Sequence, residues 1–284
     1  MQWTPKHALL IALIAVTPAC AQSQGKASSA STTPSESATP RVSATPIVAP
    51  VVAFSSEESM QRLARSSHKV DFFKLVNHFE GQQNLGMCGP TSAVIILNTL
   101  HSERDGSTRP RDPSLFPEEF AAGLPPGLEP VFHRYSQGIF FDDPRVTKVK
   151  KRETFYGQPT EKGVRDPGMQ LRQLHEIFLA FGVDSEIVVV DDKASLDSIR
   201  QALRENLGRA DDYIVVNYHR PALQQAGGGH ISPVAAYDEV SDSFLLLDVN
   251  PNGKTWVWVR ADALFASMRT FDTIENRGYL LLKN

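Results

Sequence analysis

The chain has little sulfur chemistry to offer. Of its 284 residues only two are cysteine, Cys20 and Cys88. Cys20 sits at the end of a leader-like segment, so a mature chain keeps one free thiol and closes no internal disulfide. The same count excludes a zinc site built from several cysteines. A strong charge of either sign is also missing: 29 basic residues stand against 32 acidic ones, a net charge of -3. That balance leaves no electrostatic footprint for nucleic acid. The one basic cluster (Lys148, Lys150, Lys151, Arg152) is short and reads as a solvated loop.

The N-terminus carries an export pattern. Lys6 and His7 precede the apolar run Ala8–Val16, which is too short to span a bilayer of about 20 residues. A basic start, a short apolar stretch and small residues make a secretory leader over residues 1–21. Two processing routes fit: cutting after Ala21, or lipidation of Cys20. Either one predicts an exported chain, periplasmic or tethered to a membrane. Residues 22–50 are mostly Ser, Thr, Ala and Pro, with almost nothing to bury, and read as a disordered linker. The folded domain is expected over 51–284.

Within that domain, periodicity predicts helices at Glu57–Ser66, Pro90–Leu100, about 171–181 and Ala194–Asn206. Strands are expected at Glu186–Val190, Tyr213–Tyr218, His230–Asp238 and Ser243–Val249, with a last one, G-Y-L-L-L, closing the domain. The short Glu239–Asp242 segment joins two of them as a hairpin. Residues 110–145, rich in Pro, Gly and aromatics, resist assignment. Helices first and a mostly antiparallel sheet second make an α+β fold.

Four residues could share one chemistry. Cys88 stands just before a buried helix, where backbone N–H groups favour a thiolate. His230 follows three glycines at a strand start, and imidazole is the usual base near neutral pH. Asp248 ends the run F-L-L-L-D, and the hairpin brings it opposite His230, where it would orient the ring. Gln82, or its neighbour Gln83, could add a side-chain N–H to the Cys88 N–H as an oxyanion hole. Gly89 and Gly229 allow close approach of a substrate to the backbone. The other histidines, at 68, 78, 101, 133, 175 and 219, fall into no recognisable pattern.

These segments are similar to a known family. F-E-G-Q-Q-N-L-G-M-C-G (79–89), V-V-N-Y-H-R (215–220), G-G-H-I-S-P-V-A-A-Y (228–237) and L-L-L-D-V (245–249) resemble the phytochelatin synthase domain, of bacterial type without the Cys-rich C-terminal extension. G-M-x-L-x-Q-L at 168–174 and the closing R-G-Y-L-L-L also look familial. The resemblance implies a papain-like fold, with a helical N-terminal half packed on the sheet. It implies a Cys88–His230–Asp248 triad, Gln82 rather than Gln83 in the oxyanion position, and Arg220 on a substrate carboxylate.

The implied activity is cleavage of the Cys–Gly bond of glutathione through a γ-Glu-Cys acyl-enzyme, with transfer to water or to a second glutathione. No cofactor is implied; heavy-metal ions would enter as thiolate complexes of the substrate. No metal ligands are expected in the protein itself. A homodimer and attachment to a membrane through an N-terminal lipid are further expectations. The chain departs from the family pattern at Pro251, where arginine is common, with Lys254 a substitute charge, and at Met87, where an aromatic is usual. An exported cysteine peptidase on another peptide, or a silent thiol-peptide or metal binder, are the competing readings.

Overall fold

The computed structural model describes residues 49–252 and 256–284. The expected leader, the expected linker up to residue 48, and Lys254 lie outside the described residues. A seven-stranded antiparallel sheet organises the domain. Its strands are β1 (Val51–Ala53), β2 (Asp184–Val189), β3 (Asp212–His219), β4 (Gly229–Asp238), β5 (Ser243–Leu246), β6 (Val257–Arg260) and β7 (Gly278–Lys283). They lie side by side in the order β1-β6-β5-β4-β3-β7-β2. The last strand in sequence does not close an edge. It inserts between β3 and β2, pairing with both.

The longer helices are α1 (Glu57–Arg65), α2 (Phe72–Asn77), α3 (Cys88–Leu100), α6 (Leu171–Ala180), α7 (Leu196–Leu207) and α8 (Ala261–Met268). The short α4 (Pro144–Thr147) and α5 (Arg152–Phe155) lie between α3 and α6. The Ser56 hydroxyl accepts from the Ser59 N–H and starts α1. A reciprocal pair of side-chain bonds between Gln170 and Gln173 starts α6, and Gly182, at φ +77°, follows its end. Residues 110–145 hold short single turns, an irregularity that matches their lack of period. No helix among the described residues is long and apolar enough to cross a membrane.

Two apolar cores flank the sheet. Ile95 and Leu97 of α3 and Leu174 and Phe178 of α6 pack with Val215, Leu245, Leu247 and Leu280. On the other side, Ile199 and Leu203 of α7 and Leu264 and Met268 of α8 pack with Ile214, Val216, Leu246 and Val259. The expectation of helices packed on the sheet from the N-terminal half therefore covers one face; later helices cover the other. This explains why Y-I-V-V-N-Y reads as an unbroken apolar run: both of its faces are buried.

The β4–β5 hairpin contains a bulge. Ala236 pairs with Leu245, but Val234 pairs with Leu246, so Ala235 is an extra residue. Ala235 and Ala236 both join the α3 core, whereas Val234 and Tyr237 belong to the α8 core. The ladder then continues, the Leu247 N–H donating to Pro233 O at 2.9 Å. That register sets Asp248 across from Ser232, so Asp248 and His230 project to the same face. Without the extra residue the alternation would send them to opposite faces.

Candidate active site

Cys88 opens α3 and is half-buried. Met87 before it offers no capping oxygen, so first-turn N–H groups stay free for the sulfur. Burial pushes the Cys88 thiol up, but His230 and the backbone N–H groups of Ile231 and Gly89 together pull it below its ordinary value. The Ser92 hydroxyl donates to Ile231 O at 3.2 Å and fastens the helix to β4 one residue from His230.

His230 pairs across β3 with Tyr218, and the two rings meet edge to face with centroids 5.5 Å apart. Its Nε2 lies 3.0 Å from Asp248 Oδ1, an ion-pair contact without the alignment of a hydrogen bond. Burial opposes the charged imidazolium, but Asp248 and the Cys88 sulfur outweigh it and raise His230 above its ordinary value. The imidazole thus lies between sulfur and carboxylate.

Asp248 is fully enclosed and held from four sides. Arg220 Nη2 donates to its Oδ1 at 2.8 Å, and Nη1 lies 2.8 Å from its Oδ2. The Tyr218 hydroxyl donates to Oδ2 at 3.2 Å, and the Asn250 N–H donates to Oδ1 at 2.9 Å. Burial works against the carboxylate, yet His230 and Arg220 bring its pKa down to about 2. Where the resemblance implied a substrate carboxylate for Arg220, the structure places Asp248. Arg220 is 3% exposed and both of its Nη atoms lie on that side chain.

The remaining candidates fall close by. Gln82 is buried, and its N–H donates to Val249 O at 2.7 Å, beside Asp248. Its Nε2 donates to Asn84 O at 2.6 Å, and its Oε1 has no partner among the described residues. Gln83 is exposed. Gly89 is packed against Met169: a Cβ there would lie 2.7 Å from the Met169 Cβ. Gly229 is exposed beside Arg277, whose Nη2 would lie 2.7 Å from an added Cβ. No group of three His, Cys, Asp or Glu among the described residues could hold a metal ion. Of the basic cluster, Lys150 is not solvated: it is buried in an ion pair with Asp166 at 2.5 Å.

Gln137 was not legible from sequence. It is 4% exposed. Its Nε2 donates to Gly81 O at 2.9 Å, and its Oε1 accepts from the Gln83 N–H at 2.9 Å and the Thr91 hydroxyl at 2.7 Å. One side chain therefore brackets Gln82 on both sides and ties it to the first turn of α3. It lies in the irregular 110–145 segment, where no period or motif marks it.

A sequence model of phytochelatin synthase matches residues 42–120 and 128–279. The chain belongs to the phytochelatin synthase family. Among curated proteins, glutathione gamma-glutamylcysteinyltransferase 3 of Lotus japonicus is 23% identical over 239 residues, covering 82% of this chain and 42% of the relative. The enzyme numbered 2 from Arabidopsis thaliana is 22% identical over 238 residues, covering 82% and 45%. The Schizosaccharomyces pombe protein of the same name is 33% identical over 72 residues, covering 25% and 17%. The chain thus spans less than half the length of these phytochelatin synthase relatives.

Proposed function

We propose that this chain is a papain-like cysteine acyltransferase that cleaves the Cys–Gly bond of glutathione. The observation that carries the reading is His230 set between the Cys88 sulfur and the Asp248 carboxylate at the head of α3. The Cys88 thiolate attacks the carbonyl carbon, forming an S–C bond. The developing oxyanion takes the Cys88 N–H and the Gln82 side-chain N–H not spent on Asn84. The His230 imidazolium passes its proton to the departing amine, the C–N bond breaks, and glycine leaves. The γ-Glu-Cys thioester then yields to water, or to the α-amine of a second glutathione, with His230 taking the proton. Asp248 holds the ring and stabilises its charge without itself being protonated.

The test is incubation of the mature domain with glutathione, followed by measurement of glycine and γ-Glu-Cys. Equal release from wild type and Cys88→Ala overturns the reading. A trapped acyl group on Cys88, seen by mass spectrometry, separates an enzyme from a silent binder.

A second reading keeps the triad and changes the substrate to another peptide. It draws on an apolar recess of about 420 Å³ beside Asp248, formed by Phe54, Phe79, Pro251 and Trp256. A panel of peptides with apolar side chains decides it: faster turnover than glutathione favours this reading.

The leader and linker extend the proposal to an exported protein, periplasmic or held to a membrane by lipid on Cys20. Mass spectrometry of the mature N-terminus distinguishes these routes. Heavy-metal ions belong to the proposal only as thiolate complexes of the substrate, which would link the activity to metal detoxification. No cofactor is invoked for the acyl steps, and a homodimer is tested by light scattering.

A further inference from the structure

An open cleft of about 600 Å³ lies beside the segment that leads to Gln82, lined by residues 77–80 and by parts of 106–134. Most of its charged groups already have partners. Arg134 Nε donates to Asp112 at 2.9 Å. The Glu129 carboxylate accepts from Arg111 at 3.3 Å and from the Val131 N–H at 3.0 Å. His133 Nδ1 lies 2.9 Å from the Arg109 carbonyl oxygen. Burial and the neighbouring Arg109 disfavour the charged form of His78.

Arg109 and Glu80 differ from these. Neither makes an ion pair among the described residues, and the buried Arg109 Nε has no hydrogen-bond partner there. Burial holds the Glu80 carboxyl above its usual range, against the Gln137 amide and the more distant pull of Arg134. The two opposite charges line one cleft without meeting. A desolvated charge or donor without a partner is costly. One molecule carrying both an anion and a cation would give the Arg109 Nε its missing partner and Glu80, which the Gln137 amide already meets, a counter-charge.

The geometry points to a binding site for a zwitterion, a free α-amino acid or a short unblocked peptide, with its carboxylate on Arg109 and its ammonium on Glu80. The site is separate from Cys88 and does not depend on acyl chemistry there. It adjoins the catalytic loop through Glu80, which precedes Gly81 and Gln82.

Calorimetric titration of the full chain carrying Cys88→Ala, which prevents turnover, tests this. The probes are glycine and triglycine, with N-acetyl-triglycine and triglycinamide as blocked forms. Binding of glycine or of triglycine alone separates an amino-acid site from a peptide site. If triglycine binds, blocking either end is expected to weaken it at least tenfold. Glu80→Gln should abolish the preference for a free amine, and Arg109→Gln the preference for a free carboxylate. If only glycine binds, each variant should weaken it at least tenfold.

Absence of binding by both zwitterions at millimolar concentration overturns the proposal. So do equal affinities for blocked and free triglycine, and binding that neither variant alters. Glu80→Gln removes a partly desolvated charge that has no ion-pair partner among the described residues and should fold as well as its parent. Should Arg109→Gln fail to fold, the response of Glu80→Gln alone decides.

Discussion

Arg220 and Asp248 meet as a buried ion pair with two contacts of 2.8 Å. The guanidinium stabilises the carboxylate that in turn faces His230. Burying two charges is expensive, so the pair contributes little net stability while intact; breaking it is what costs.

Arg220→Met should lower unfolding free energy by about 3–5 kcal/mol at neutral pH, because Asp248 then stays charged and buried without its guanidinium. The acid response should change too. With a folded pKa of about 2 against an ordinary 3.8, Asp248 contributes stability that is fully present above the unfolded value. That contribution, on the order of 2 kcal/mol, is lost as pH falls through the folded value. In Arg220→Met the folded value rises toward the unfolded one, so this contribution shrinks and its loss is complete at a higher pH than in wild type. Urea unfolding at pH 7, 4 and 3 measures both effects, and curves that superpose on wild type refute them.

Cys88 should react with iodoacetamide at lower pH than an ordinary thiol, since His230 and two backbone N–H groups outweigh burial. In His230→Ala the largest lowering influence is gone and burial remains, so the midpoint should move upward. The pH dependence of the alkylation rate reads this directly. An unchanged midpoint would mean that the ring does not support the thiolate.

Gln137→Leu should separate catalysis from binding. It leaves Gly81 O, the Gln83 N–H and the Thr91 hydroxyl without their partner. A loss on the order of 2–4 kcal/mol in stability is expected. If the proposed activity holds, kcat should fall at least tenfold with a smaller change in KM, because Gln82 shifts relative to Cys88. A change confined to KM would argue for substrate contact instead.

Gly89→Ala should cost about 1–3 kcal/mol by overpacking, since the new Cβ meets the Met169 Cβ at 2.7 Å. Met169→Ala keeps that Cβ and should not relieve the clash. Thermal unfolding of both single variants and the double variant checks this, and full recovery in the double variant would contradict it.

Much of this was readable from residues alone. Cys88, His230 and Asp248 stood out because each sits where an apolar run begins or ends, beside glycine or a turn. The hairpin followed from two apolar runs around Glu239–Asp242, where Asp242 takes φ +47°. Three things were not readable. β1 and β6 are short and gain their identity only by pairing with each other and, for β6, with β5. The insertion of β7 between β3 and β2 is a long-range choice that no local pattern encodes. Arg220 showed its charge in sequence but not its partner, because Asp248 lies 28 positions away.

The extra residue at Ala235 has an evolutionary consequence. One residue added or lost between His230 and Val234 would reverse the ring's side of the sheet while leaving the strand able to pair. Two residues would restore the side but displace the ring along the strand by roughly 6.6 Å, beyond reach of Asp248. This stretch can therefore drift by substitution but not by change of length, and active descendants should preserve its residue count.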